Sequence, residues 1–159
     1  MPILRTLVCV LIFPILVGTT TASAQAPLTL EESLAVIEAT KEAATAKDLR
    51  LSIAVVDGRG DLIALARMPG AQPRTADTAI GKAMVSAMTG RPSAAMVGRG
   101  TTPLYQKLND DTGGRLRFFQ GALPIVRGGY TVGAVGSSGA SSQDDEDAVR
   151  AAMSKLGLE

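Results

Sequence analysis

The chain has no histidine, no tryptophan, a single cysteine, three phenylalanines and two tyrosines in 159 residues. Each shortage excludes something. Without imidazole there is no Ser-His-Asp triad, no Cys-His pair, no histidine-bound zinc and no proximal histidine for haem. With one cysteine no intrachain disulfide can form, and with so few rings the core must be built of Ala, Val, Leu, Ile and Met. Charge of one sign is also lacking: 16 basic against 15 acidic side chains leave a net +1. That balance lacks the basic stripe a nucleic-acid partner requires. The length suits one domain.

The N-terminus is read first. Arg5 is followed by an almost wholly apolar run from Leu7 to Val17, then by Ala22-Ser23-Ala24. A charged start, a short apolar segment and a small-residue A-x-A site are the layout of a secretory signal peptide. The run is too short for the about 20 residues that span a bilayer, and Pro14 interrupts it. Residues 1–24 are therefore expected to be removed, leaving one domain over 25–159 that is periplasmic or extracellular and carries no membrane segment. Cleavage discards Arg5 and Cys9, so the exported domain holds balanced charge and no cysteine. It must be held by its core or by assembly.

Along that domain, Thr29-Leu-Glu-Glu32 is a capping box opening a helix to about Lys47. Leu51–Val56 and Asp61–Arg67 read as strands joined by the turn Asp57-Gly-Arg-Gly60. Thr75–Met88 reads as a helix whose apolar face is mostly small residues. Thr102-Pro103 starts a short helix to Leu108, and Asn109–Gly114 reads as loop. Leu123–Val126 and Tyr130–Val135 form a second hairpin, and a last helix runs from Ser142 to Gly157. Two hairpins and four helices predict an α+β fold: one antiparallel sheet with helices packed on it. The strands are apolar on both faces, so a second subunit is expected to cover part of the sheet.

The motifs carry little catalytic chemistry. Gly133-Ala-Val-Gly-Ser-Ser-Gly139 lacks the spacing of a phosphate loop, and the acidic run Asp144–Asp147 after it would repel a phosphate. Close strand packing and a tight turn account better for those glycines. The acidic run matches no calcium loop and suits helix capping. Ser137, Ser138 and Ser141 have no histidine base and no S-x-x-K lysine. Two cations stand out because they are embedded in apolar segments: Lys82 in the small-residue helix and Arg67 at a strand end. Each is either a snorkelling side chain or a cation at a pocket rim.

Taken together, the segments resemble the GlcG/HbpS-like family, also called the haem-degrading domain family. The signature hairpin is similar over Ser52–Ala71, the central helix at Lys82-Ala83, and the C-terminal pattern at Gly121–Val126, Val132–Ala140 and Asp144-Asp145-Glu146. The resemblance implies a compact domain on a central antiparallel sheet, assembled as dimers up to octamers. Members include extracellular haem-binding proteins, domains attached to cobalamin adenosyltransferases, and proteins found beside glycolate-utilisation enzymes. Three positions depart from the pattern. Asp61 stands where histidine is frequent, Pro69 where an acidic residue is usual, and Ala122 where a second glycine is usual.

The resulting expectation is an exported homo-oligomer that binds a small ligand, with haem or a related tetrapyrrole foremost. Arg67 and Lys82 would pair with its carboxylates, and Met68, Phe118 and Phe119 would supply apolar surface. Iron would fall to Met, Tyr or Lys, or take no axial ligand from the chain, since no histidine is available. No catalytic residue and no metal cluster is assigned. One alternative is an enzyme or accessory protein for a small hydroxy- or oxo-acid held by the same two cations. Another is an assembly protein without a ligand.

Overall fold

A computed structural model describes residues 26–158; the expected signal peptide and its cleavage point lie outside them. Helix α1 covers Leu30–Ala46, followed by the hairpin β1 (Ser52–Asp57) and β2 (Leu62–Arg67). Helix α2 is Thr75–Thr89. Two 3-10 turns, Ser93–Met96 and Arg99–Thr101, lead into α3, Pro103–Asp111. The second hairpin, β3 (Ala122–Arg127) and β4 (Tyr130–Ser138), precedes α4, Ser142–Leu156. The fold is α+β, as expected: one four-stranded sheet, order β2-β1-β4-β3, with every neighbouring pair antiparallel.

Two boundaries differ from the sequence reading by three residues, the others by about one. Helix α3 continues through Asp111, where Lys107 pairs with Asp111 at 2.9 Å one turn on, and stops before Gly113 and Gly114, both left-handed. Strand β4 runs on to Ser138 because Ser52 on β1 continues the ladder opposite it.

The sheet is covered on both faces by the chain's own helices. Ile53 and Val55 of β1, Ile125 of β3 and Val135 of β4 pack with Val36, Ile37, Val149 and Met153 of α1 and α4. On the other face Val56 and Ala134 meet Ala83, Met84, Val85 and Ala87 of α2. The small residues of α2 let it lie directly on β4. A Cβ on Gly136 would stand 2.5 Å from the Ala79 carbonyl oxygen and 2.8 Å from the Ala83 nitrogen, so only glycine fits there. The expectation that Leu62–Ala66 and Val132–Val135 need a second subunit to cover them is corrected for β4, which α1 and α4 cover on one face and α2 on the other. What remains open is the outer strand β2, where Leu62 and Leu65 are 44% and 42% exposed beside the reach of α2.

The capping box forms as read. The Glu32 amide donates to Thr29 Oγ1 at 3.1 Å, and the Thr29 amide donates to Glu32 Oε2 at 2.8 Å. Arg127 of β3 donates to the other carboxylate oxygen at 2.5 Å, which ties the start of α1 to the sheet edge. These contacts, the Thr29 amide first and Arg127 next, hold the Glu32 carboxyl below its ordinary 4.5. A carboxyl lowered by folding stabilises above its unfolded pKa and loses that contribution as pH falls through the folded value. Urea melts of Glu32→Gln should show lower stability than wild type at neutral pH and a narrowing gap below pH 4.5.

Candidate functional site

Lys82 stands not at a pocket rim but inside the protein, its side chain 3% exposed. Its ammonium donates to Asp145 Oδ2 at 2.7 Å and to the Ser137 carbonyl oxygen at 3.0 Å. Asp145 Oδ1 accepts from the Ala140 amide at 3.0 Å, and Ser137 Oγ donates to the Asp145 carbonyl at 2.7 Å. Burial pushes the Asp145 carboxyl above its ordinary range, against the opposing hydrogen bond and charge of Lys82. Asp145 thus does more than cap α4, the role the sequence suggested for the acidic run. The pair joins α2, on one face of the sheet, to α4, on the other, around the end of β4.

Gly121 closes this cluster. Its φ is +131°, and a Cβ there would lie 2.7 Å from Lys82 Nζ and 3.0 Å from Asp145 Cβ. Backbone strain and displacement of the ammonium act together, so Gly121→Ala should cost about 2 kcal/mol or more in a denaturant melt.

The other expected site residues are dispersed. Arg67 ends β2 with its guanidinium donating to the Ala71 carbonyl at 2.5 Å. Met68 is buried in the core beneath α1 and α4, where its sulfur accepts from the Leu51 amide at 3.5 Å. Phe118 lies over Gly100 and meets Tyr105 edge-on, with ring centroids 5.6 Å apart. Phe119 is 56% exposed. The sequence reading grouped these five; the structure gives Arg67 and Lys82 separate partners within the chain and leaves only Phe118 beside a cleft.

That cleft, of about 500 Å³, lies at the C-terminal end of α2 under α3. Its apolar lining is Met88, Met96, Leu104, Tyr105 and Leu108. Thr89, Arg91 and Arg99 complete the wall. None of the residues of α3 is buried. The helix turns Leu104, Tyr105 and Leu108 toward the cleft, and the floor is the fully buried Met96. Both arginines are exposed, and among the described residues their guanidinium groups make no hydrogen bond or ion pair. The size falls in the range of small-molecule sites, about 300–1,000 Å³. An apolar hollow bordered by two free cations suits a large flat molecule that carries carboxylates. Sequence reasoning missed it. The available signal was the i, i+1, i+4 apolar pattern of Leu104, Tyr105 and Leu108, facing two arginines that bracket Met96.

A four-stranded antiparallel sheet clad by helices on both faces, with a cleft beside its central helix, defines a small α+β domain. Residues 28–154 match the family described as haem degrading protein HbpS-like, and the chain belongs to that family. It is 33% identical to protein GlcG of Escherichia coli K12 over 114 residues, 70% of this chain and 81% of GlcG. Among solved structures, HbpS of Streptomyces reticuli, as a double variant, is 28% identical with a TM-score of 0.72, covering 98% of this chain and 99% of that one. A PduOC–haem complex shares the fold at 21% identity, with a TM-score of 0.73 over 84% of this chain and 98% of its own.

Proposed function

We propose that the chain binds haem or a related tetrapyrrole in the cleft under α3. The observation that carries this reading is the cleft's composition: apolar walls, two unpaired guanidinium groups, and two side chains able to ligate iron. Those two are the thioether of Met88 and the phenol of Tyr105, while the buried Met96 forms the floor. Methionine and tyrosine both serve as axial ligands of haem iron, so the donor set fits the group without histidine. Arg91 and Arg99 would hold the propionate carboxylates, and Leu104, Leu108 and Met88 would shield the macrocycle from water. When bound, haem supplies the redox and ligand-binding chemistry of its iron. The chain's own residues bind and orient it and exclude solvent. The family description and the haem complex of a protein with the same fold support this reading.

The same proposal has the domain exported after Ala24 and self-associating. The A-x-A pattern supports export, and the open Leu62 and Leu65 on the free edge of the sheet support association. Among the described residues no helix is long and apolar enough to cross a membrane. The test is a haem titration followed by absorbance. A saturable spectrum without the signature of bis-histidine ligation supports the reading, and no binding at high micromolar haem overturns it.

A further inference from the structure

A second hollow lies against the N-terminal half of α2, and its chemistry is unlike that of the first. About 230 Å³ in volume, it is lined by Asp77, Ile80, Gly113, Gly114, Arg115 and Arg117. A water occupies about 30 Å³ of liquid volume, so the space suits a molecule of a few heavy atoms and excludes a macrocycle.

The wall is built, not a loose loop. The Arg117 amide donates to the Gly81 carbonyl of α2 at 3.2 Å. A Cβ on Gly81 would stand 2.4 Å from the Arg115 carbonyl oxygen and 2.5 Å from Arg117 Cγ, so glycine is what lets this segment lie on the helix. Leu116 is buried and its amide donates to Asn109 Oδ1 at 2.9 Å, anchoring the segment from the other side. With Leu116 turned inward, its two neighbours line the hollow. Arg117 is held by Nη1, which donates to the Gly114 and Leu116 carbonyls at 2.7 and 3.0 Å. Its Nε and Nη2 donors remain for a ligand.

Charge decides the class of occupant. Among the described residues neither Asp77 nor the guanidinium of Arg115 makes a hydrogen bond or an ion pair, although both line the same small hollow. Asp77 and Arg115 are both exposed, and opposite charges that face one space without meeting match a molecule that carries both signs. A phosphate or dicarboxylate would meet the arginines but be repelled by Asp77, and a simple amine would meet the reverse. We infer that this hollow binds a small zwitterion, an α-amino acid with a short apolar side chain. Its carboxylate lies toward Arg115 and Arg117, its ammonium toward Asp77 and its side chain on Ile80. The inference stands apart from the tetrapyrrole reading, since the two hollows share no lining residue.

The experiment uses the full chain and four probes: L-alanine, L-valine, L-lactate and inorganic phosphate. Binding is followed by calorimetry and by the backbone amide resonances of Gly81, Gly113 and Gly114. L-alanine or L-valine should bind and shift those amides, with L-lactate and phosphate weaker. Asp77→Asn should weaken the amino acids by about tenfold or more, as expected for losing a charge-assisted bond, and leave L-lactate little changed. Arg115→Gln should weaken both acids. Among the described residues neither makes a hydrogen bond or an ion pair, so both variants should melt close to wild type, Asp77→Asn losing at most the small contribution of a first-turn carboxylate to its helix. Failure of both amino acids to bind at millimolar concentration overturns the inference. So does phosphate binding as tightly as they do, or unaltered amino-acid affinity in Asp77→Asn. Haem titration of the same samples reports on the other cleft separately.

Discussion

Lys82→Met is expected to destabilise the domain by about 3–5 kcal/mol, the cost of removing one member of a buried ion pair. Against a total of about 5–15 kcal/mol for an ordinary domain, that is a large fraction. The methionine stem can fill the lysine's path, so the loss comes from Asp145, which stays buried with no cation. The Ala140 amide still serves Oδ1, but Oδ2 loses its partner. The Ser137 carbonyl loses a donor as well.

The pH dependence fixes the cause. Burial already raises the Asp145 carboxyl above its unfolded 3.8, and Lys82 opposes that shift. In the variant the opposition is gone, so the folded state holds the proton more tightly. A carboxyl whose folded pKa is raised contributes most below its unfolded value, and that contribution is lost as pH rises through the folded value. Lys82→Met should therefore lie closest to wild type near pH 3.8 and fall further behind toward neutrality. The double variant Lys82→Met, Asp145→Leu should recover much of the loss, because apolar replacement of a whole buried pair is often neutral. Urea midpoints at several pH values are the measurement. A single variant within about 1 kcal/mol of wild type at neutral pH, the range of an exposed pair, would show that the pair does not hold the two helical layers together.

Local signals carried most of the fold. The turns Asp57–Gly60 and Arg127–Gly129 are short and chemically distinctive, and each hairpin forms around its own turn. The pairing of β1 with β4 joins distant segments and leaves no local mark. Neither does the sandwiching of the sheet between α2 and the α1–α4 pair, so apolar strands looked like surfaces awaiting a second subunit. The same limit explains Lys82. Its sequence neighbours Ile80 and Ala83 correctly mark a buried helix face, but its partner lies 63 residues away. An embedded cation without a visible counter-charge reads as a ligand site. Arg91 and Arg99 escape a sequence reading for the opposite reason. They sit among the glycine and proline residues of Gly90–Gly100, where charge reads as ordinary loop surface, and only the fold places Met88, Met96 and α3 around them.

Arg91→Met and Arg99→Met are each expected to weaken haem binding by about ten- to a hundredfold, which corresponds to about 1.5–3 kcal/mol per charge-assisted contact. Binding should also weaken as salt is raised, because both guanidinium groups are exposed and screened. Neither makes a hydrogen bond or ion pair to the described residues, so melting temperatures without haem should stay at the wild-type value. That separates loss of a ligand contact from loss of structure, which Lys82→Met cannot do. Arg67→Met provides the contrast. Its guanidinium already bonds to the Ala71 carbonyl, so its replacement should disturb the end of β2 and leave haem affinity unchanged. Iron ligation can be tested in the same titrations. Tyr105→Phe keeps the ring against Phe118 and removes only the phenol, so a phenolate-bound iron would change its absorbance spectrum while the apolar contact persists. An unchanged spectrum would leave Met88, and Met88→Leu would then shift it. Equal haem affinity in wild type, Arg91→Met and Arg99→Met would remove the tetrapyrrole from this cleft, and loss of binding in Arg67→Met alone would place it at the end of β2.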